Sequence, residues 1–200
     1  MFAESKLLFK LWLKNPLKIG AVTASSPELA AAMAKHIPAG DGYVVELGGG
    51  TGPVTRAILA AGTPPERLIV VERDATLHRV LCERYPQVRV VLGDAVHLQS
   101  LLRKAGIDHV KAVVSSLPLL SMKKAVQYRI GAQAFAVLQP GAPFIQFTYG
   151  LFSPLPHRRL GVHGAVKARV LQNLPPASVW LYRKPARHQA VRPQSLRRAS

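Results

Sequence analysis

The chain has 200 residues, 48% apolar and 18% charged, which allows one packed domain with a sizeable core and argues against disorder throughout. A lone cysteine (Cys82) excludes an internal disulfide and a thiolate zinc cluster, the seven histidines lack metal-ligand spacing, and no apolar run is membrane-spanning, so a reduced, cytoplasmic, metal-free setting is expected. The net charge of +17 is lopsided, with all ten acidic residues at or before Asp108, and such a field attracts a nucleic-acid backbone or an anionic lipid surface, or simply solubilises the chain.

Residues 1–18 begin MFAESKLLFKLWLK and end past Asn15-Pro16. At about 100° per residue, Lys6, Lys10 and Lys14 share one stripe, while Phe2, Phe9 and Trp12 stand among leucines on the remaining circumference. The pattern predicts an amphipathic helix on a membrane surface; packing on its own domain or on a second subunit is the alternative. Lysine at every fourth position breaks the apolar stretch a secretory signal needs.

Ser25-Ser26-Pro27-Glu28 predicts a helix start, with the helix running to about His36. From Tyr43 the pattern becomes strand, turn, helix, repeated. Strands are predicted at 43–47, 68–71, 88–92, 110–115 and 143–149, and helices at 54–61, 75–85, 98–104 and 121–138. That alternation predicts a doubly wound α/β fold with a parallel sheet. Residues 165–171 and 178–183, around Asn173-Leu174-Pro175-Pro176, predict an antiparallel hairpin. The domain proper would span 19–184, followed by a basic, proline-containing tail over 185–200 that is expected to be disordered.

The chemistry sits in Val44-Val45-Glu46-Leu47-Gly48-Gly49-Gly50-Thr51-Gly52. A glycine loop between a first strand and a first helix lets a ligand approach the backbone closely. The dinucleotide fingerprint fails because its last glycine position is Pro53, and no Gly-Lys-Ser/Thr follows to make a phosphate loop. What fits is acid-x-Gly-x-Gly-x-Gly, on Glu46, Gly48, Gly50 and Gly52. Glu72 ends the second strand, placed to accept from ribose hydroxyls. Asp94 follows the third strand, and Ser115-Ser116-Leu117-Pro118 the fourth.

This spacing resembles the class I S-adenosylmethionine-dependent methyltransferases. The resemblance implies a seven-stranded, mostly parallel, Rossmann-like sheet and a cofactor site extended by Thr51, Arg73, Ala95 and Ser115, with Asp94 near the adenine amine. It implies S-adenosylmethionine as cofactor and S-adenosylhomocysteine as product. Together with the opening helix, Gly20-Ala21-Val22-Thr23-Ala24-Ser25-Ser26, Ser116-Leu117-Pro118-Leu119 and Gln146-Phe147-Thr148-Tyr149-Gly150, the chain is similar to the bacterial soluble-type phosphatidylethanolamine N-methyltransferases. Such enzymes methylate a phospholipid amine toward phosphatidylcholine, here at the inner face of the cytoplasmic membrane. Ribosomal RNA adenine dimethyltransferases are related, but carry Asn-Leu-Pro-Tyr/Phe where this chain reads Ser116-Leu117-Pro118-Leu119. Loss of the amide and the aromatic argues against a flipped base.

The substrate that the resemblance implies sets the candidate residues. Tyr149 is placed near the amine, as a hydrogen-bond acceptor or a π face, or is an ordinary strand-end tyrosine. Ser115 and Ser116, with Leu117 and Pro118, are candidates to orient the amine. Arg158 and Arg159 would bind the lipid phosphate, or are merely solvated. His157 and His163 are possible bases with a structural role as the alternative. Cys82 receives no chemistry. An RNA adenine N6-methyltransferase, favoured by the charge, and a non-catalytic cofactor-binding protein at the membrane surface stay as competing readings.

Overall fold

The structure is a computed structural model and describes residues 26–150, 152–173 and 175–185. The expected helix over 1–18, the segment before Ser26 and the tail beyond residue 185 lie outside the described residues.

Seven strands form one sheet: β1 (Tyr43–Leu47), β2 (Leu68–Glu72), β3 (Arg89–Leu92), β4 (Val110–Ser115), β5 (Phe144–Thr148), β6 (His163–Val170) and β7 (Ala177–Arg183). Their order is β3-β2-β1-β4-β5-β7-β6. Strands β1 to β5 pair in parallel, and β7 runs antiparallel to both β5 and β6. Strand β6 therefore points the same way as β1 to β5, so the ends of six strands share one edge. Among the described residues six helices accompany the strands: α1 (Pro27–Ala34), α2 (Pro53–Ala60), α3 (Ala75–Arg84), α4 (Leu98–Lys104), α5 (Lys124–Val137) and α6 (His157–Leu160).

The central strands are apolar runs because both of their faces are covered. Val44, Val70, Val114 and Ile145 pack with Leu29 and Met33 of α1 and Val54 and Ile58 of α2 on one face. Val45, Val71, Val113 and Phe144 pack with Leu98, Leu102, Ile130 and Ala134 of α4 and α5 on the other. Helix starts follow local chemistry: the Ser26 hydroxyl accepts from the Leu29 amide at 3.2 Å, and Asp74 accepts from the Thr76 and Leu77 amides at 2.8 and 3.0 Å. Strand order reverses between β1 and β4, which opens the crevice where ligands of open parallel sheets bind.

Three local differences from the sequence expectation appear. The helix expected from residue 121 begins at Lys124, because Met122 and Lys123 are extended at ψ 158 and 144 and a 3-10 turn occupies Leu119–Ser121. Helix α6 was not expected; four residues ended by left-handed Gly161 (φ 64) are too short to show a period. Strand β6 begins earlier, at His163, and a register shift between Val166 and Ala168 sets Lys167 outside the ladder.

Candidate active site

The glycine loop leaves β1 and enters α2 through three left-handed residues, Gly48 (φ 77), Gly50 (φ 58) and Gly52 (φ 90). At Gly52 a side chain is also excluded by space: a Cβ would lie 2.5 Å from the Tyr85 ring, whose hydroxyl donates to the Gly52 carbonyl at 2.8 Å. Arg84 donates to the neighbouring Thr51 carbonyl. The end of α3 thus clamps the loop from behind. From the β2 side, one Glu72 carboxylate oxygen accepts from the Gly50 amide at 3.0 Å and the other from the Asp74 amide at 2.8 Å.

A cavity of about 560 Å³ opens at this edge, lined among others by Gly48, Gly50, Glu72, Arg73, Asp94, Ala95, Ser116, Leu117 and Pro118. That volume suits a single small organic cofactor. Its carboxylates stand at the ends of β2 and β3. Asp94 accepts from the Val96 amide at 3.0 Å, and its second oxygen lies 3.5 Å from the Arg73 guanidinium. Met122, Lys123, Val126 and Ile130 close the cavity from the α5 side.

The structure brings together nine of the predicted residues, those just named from Gly48 to Pro118. Ser116 is the most telling: it lines the cavity, and its buried hydroxyl has no partner. Leu117 lies over the glycine loop, where a Cβ on Gly48 would meet it at 2.8 Å. Ser115 is fully buried beneath the loop, its hydroxyl 3.4 Å from the Leu117 amide.

The remaining predicted residues stand outside the cavity wall. Glu46 has Val70 and Val114 as register partners, which places it in the core under α1 and α2. Its Oε2 accepts from the Thr55 hydroxyl at 2.7 Å, while Oε1 is buried without a partner. Burial pushes this carboxyl up to about 7 against the Thr55 hydrogen bond, and the Glu72 charge adds to the rise. Thr51 and Gly52 shape the loop from behind the cavity.

Tyr149 packs against the same core, edge-on to Phe147 with ring centroids 5.3 Å apart, and burial raises its phenol. Arg158 and Arg159 are exposed on α6, with the Arg159 guanidinium 4.7 Å above the Tyr128 ring of α5. His157 contacts the Ser153 hydroxyl at 3.2 Å, and that hydroxyl meets Tyr182 at 2.7 Å, a latch between a loop and β7. His163 is exposed at the start of β6. Cys82 sits 3.7 Å from the His78 ring on α3, away from the cavity.

Sequence reasoning missed the polar lining residues Asp74, Ser121 and Lys123, and a buried polar residue that braces the loop after β4. Gln146 is fully buried in β5, and its amide nitrogen donates to the Leu117 carbonyl at 3.0 Å and to the Phe147 carbonyl at 2.7 Å. A glutamine at the centre of the apolar strand FIQFT was the available signal, since a buried amide must find partners. Among the described residues no cluster of side chains fits a metal ion, and no helix is long and apolar enough to cross a membrane.

No family model matches the chain. Over 141 residues, 68% of this chain and 73% of the other, it is 37% identical to an ornithine lipid N-methyltransferase of Singulisphaera acidiphila. The chain belongs to that methyltransferase family. A second relative is a ribosomal RNA small subunit methyltransferase A of Maridesulfovibrio salexigens, 36% identical over 95 residues; the match spans 46% of this chain and 34% of that protein. Solved structures share the fold. The glycopeptide N-methyltransferase MtfA in complex with S-adenosylmethionine superposes with a TM-score of 0.64 at 14% identity, covering 82% of this chain and 96% of that one. TrmN from Thermus thermophilus gives 0.61 at 19% identity, over 82% of this chain and 51% of that one.

The protein is a class I methyltransferase that depends on S-adenosylmethionine. Its residues fit that cofactor: a glycine loop admits the ligand against the backbone, and the Glu72 and Asp94 carboxylates line the same cavity at neighbouring strand ends.

Proposed function

We propose that this methyltransferase acts on the amine of a membrane lipid. The observation that carries the reading is the match to the ornithine lipid N-methyltransferase. The acceptor loop agrees with it. Leu119, where the RNA adenine enzymes hold an aromatic, is 1% exposed and part of the core, so the loop offers no ring on which a base could stack. Ser116 offers a small hydroxyl in the wall, suited to a compact amine.

The cofactor supplies a methyl group already activated on sulfonium, so the protein's task is alignment. Glu72 and Asp94 would hold the cofactor's nucleoside end. The Ser116 hydroxyl orients the incoming nitrogen, and Gln146 fixes the Leu117 carbonyl beside it. An alkylammonium has no lone pair, so one proton leaves to water before transfer. Tyr149, expected near the amine, packs instead on Phe147 in the core under α1 and α2, outside the cavity wall.

Within lipid amines, the sequence resemblance favours phosphatidylethanolamine and its mono- and dimethyl forms; the relative adds ornithine lipid as a second headgroup. The basic, aromatic segment Met1–Lys14 would hold the enzyme on an anionic leaflet at the cytoplasmic side. Vesicles of phosphatidylglycerol with either phosphatidylethanolamine or ornithine lipid, incubated with labelled S-adenosylmethionine, test the reading. Label in the phosphatidylethanolamine extract supports the finer assignment. Label in ornithine lipid alone moves the substrate to that headgroup, and label in neither removes the lipid reading.

A further inference from the structure

Four large apolar side chains are conspicuously exposed among the described residues: Leu92 (51%), Phe152 (73%), Val166 (37%) and Leu171 (76%). Three of them share one edge of the molecule. Leu92 ends β3, Phe152 lies in the connection that leaves β5, and Leu171 follows β6 directly. Because β3, β5 and β6 run in the same direction, all three stand at the edge where the cavity opens.

Charge divides this edge in two. On the β2–β3 side, Leu92 is accompanied by the carboxylates of Asp74 and Asp94, which an anionic surface would repel. On the β4–β6 side the strands and their connections carry no acidic residue, since none follows Asp108, although exposed Glu28 at the start of α1 is brought near by the Ser26 amide, which donates to Asn173 of the β6–β7 turn at 3.1 Å. That side presents exposed Lys123 and Lys124 at the start of α5 and exposed Arg169 near the end of β6. Phe152 and Leu171 are therefore exposed on a side whose own strands and connections carry cations and no carboxylate. Large exposed apolar side chains on a predominantly basic side form the pattern of a surface that dips into the headgroup layer of an anionic leaflet.

We propose that the β4–β6 half of this edge is a second membrane-docking face, separate from the N-terminal segment, in which Phe152 and Leu171 insert into an anionic bilayer and Lys123, Lys124 and Arg169 contact its headgroups. The inference rests on the lipid-amine reading above and adds an orientation to it. Docked this way, the cavity mouth at Lys123 faces the leaflet, and a lipid amine reaches Ser116 without leaving the interface. The acid-bearing β2–β3 side is left toward water, where the soluble cofactor enters.

The test uses the full chain and the double variant Phe152→Asp/Leu171→Asp. Both side chains are largely exposed and outside the cavity wall, so the variant should melt like the wild type. Three readouts are compared: sedimentation with phosphatidylglycerol–phosphatidylethanolamine vesicles, methylation of the vesicle lipid, and methylation of dihexanoyl phosphatidylethanolamine below its micelle concentration. The proposal expects vesicle binding and vesicle-lipid methylation to fall by about tenfold or more, with the dissolved short-chain amine methylated as before. A variant that sediments like the wild type overturns the docking face. So does one that loses the dissolved substrate equally, because the two residues would then serve the site or the fold. Wild-type enzyme that methylates neither lipid form contradicts the lipid-amine reading instead, while sedimentation still reports on the docking face.

Discussion

The Gln146 side chain holds the Leu117 carbonyl at 3.0 Å and, through the same nitrogen, the Phe147 carbonyl at 2.7 Å. Two carbonyl acceptors fix which end of the amide is nitrogen, because the flipped amide would set oxygen against oxygen. One buried side chain thereby ties the acceptor loop after β4 to the adjoining strand β5.

Gln146→Met keeps the bulk of the side chain and removes this donor. The Leu117 and Phe147 carbonyls each lose a donor, but the Leu117 carbonyl keeps the Leu119 amide at 2.8 Å, so the variant should lose about 1 kcal/mol of stability. Turnover should fall further than cofactor affinity, since the loop carries Ser116 while Glu72 and Asp94 are untouched. Urea melts, calorimetric titration with S-adenosylmethionine and methyl-transfer rates on one preparation check this. Equal loss of turnover and cofactor affinity would contradict a role specific to the acceptor loop.

Glu72→Ala should weaken S-adenosylmethionine binding by about 1.5–3 kcal/mol, the range for a hydrogen bond to a charged group. The same change frees the Gly50 and Asp74 amides, so the glycine loop loosens too. Asp94→Ala should also weaken binding, and Asp94→Asn separates its two roles: asparagine retains the cap on the Val96 amide and loses the charge. Wild-type affinity in all three variants would remove the cofactor assignment of both carboxylates.

The Glu46–Thr55 pair predicts a pH dependence of stability. Glu46 in the fold titrates at about 7, above the roughly 4.3 of an unfolded glutamate. Between these values the folded state binds the extra proton, so stability falls as pH rises through that window and is level above it. The decline contributed by this group is about 4 kcal/mol. Thermal melts from pH 4.5 to 8 should show a steeper loss for the wild type than for Glu46→Gln. Parallel curves would mean that Glu46 is ionised in the fold.

Much of this arrangement is legible in the sequence, for physical reasons that can be named. β1 and β4 match the expected spans because continuous apolar runs between turn residues have few alternatives. The cofactor edge is equally legible: Gly48, Glu72, Asp94 and Ser116 each end or follow a strand, and parallel strands bring their ends together. The acceptor side is not, because it depends on which face a side chain takes. Tyr149 belongs by alternation with Phe147 to the core under α1, whereas Gln146 between their neighbours faces the other way. Arg159 finds the Tyr128 ring on α5, a contact that sequence spacing cannot show.

For the lipid amine, the rate should rise between neutral pH and about 9 as the ammonium, near 10 for an alkylamine, begins to supply its lone pair. Tyr149→Phe should leave turnover and cofactor affinity near wild type, because the ring packs on Phe147 in the core under α1 and lines no part of the cavity. A large loss of turnover with cofactor affinity intact would return Tyr149 to the amine.

The most direct test of the account offers both macromolecular acceptors at once. Purified enzyme is incubated with labelled S-adenosylmethionine, anionic vesicles containing phosphatidylethanolamine and ornithine lipid, and ribosomal RNA, and the lipid and RNA fractions are counted after separation. The account predicts label in the lipid extract, with mass spectrometry placing one or more added methyl groups on the headgroup nitrogen, and unlabelled RNA. Label in the RNA with none in the lipid would contradict it.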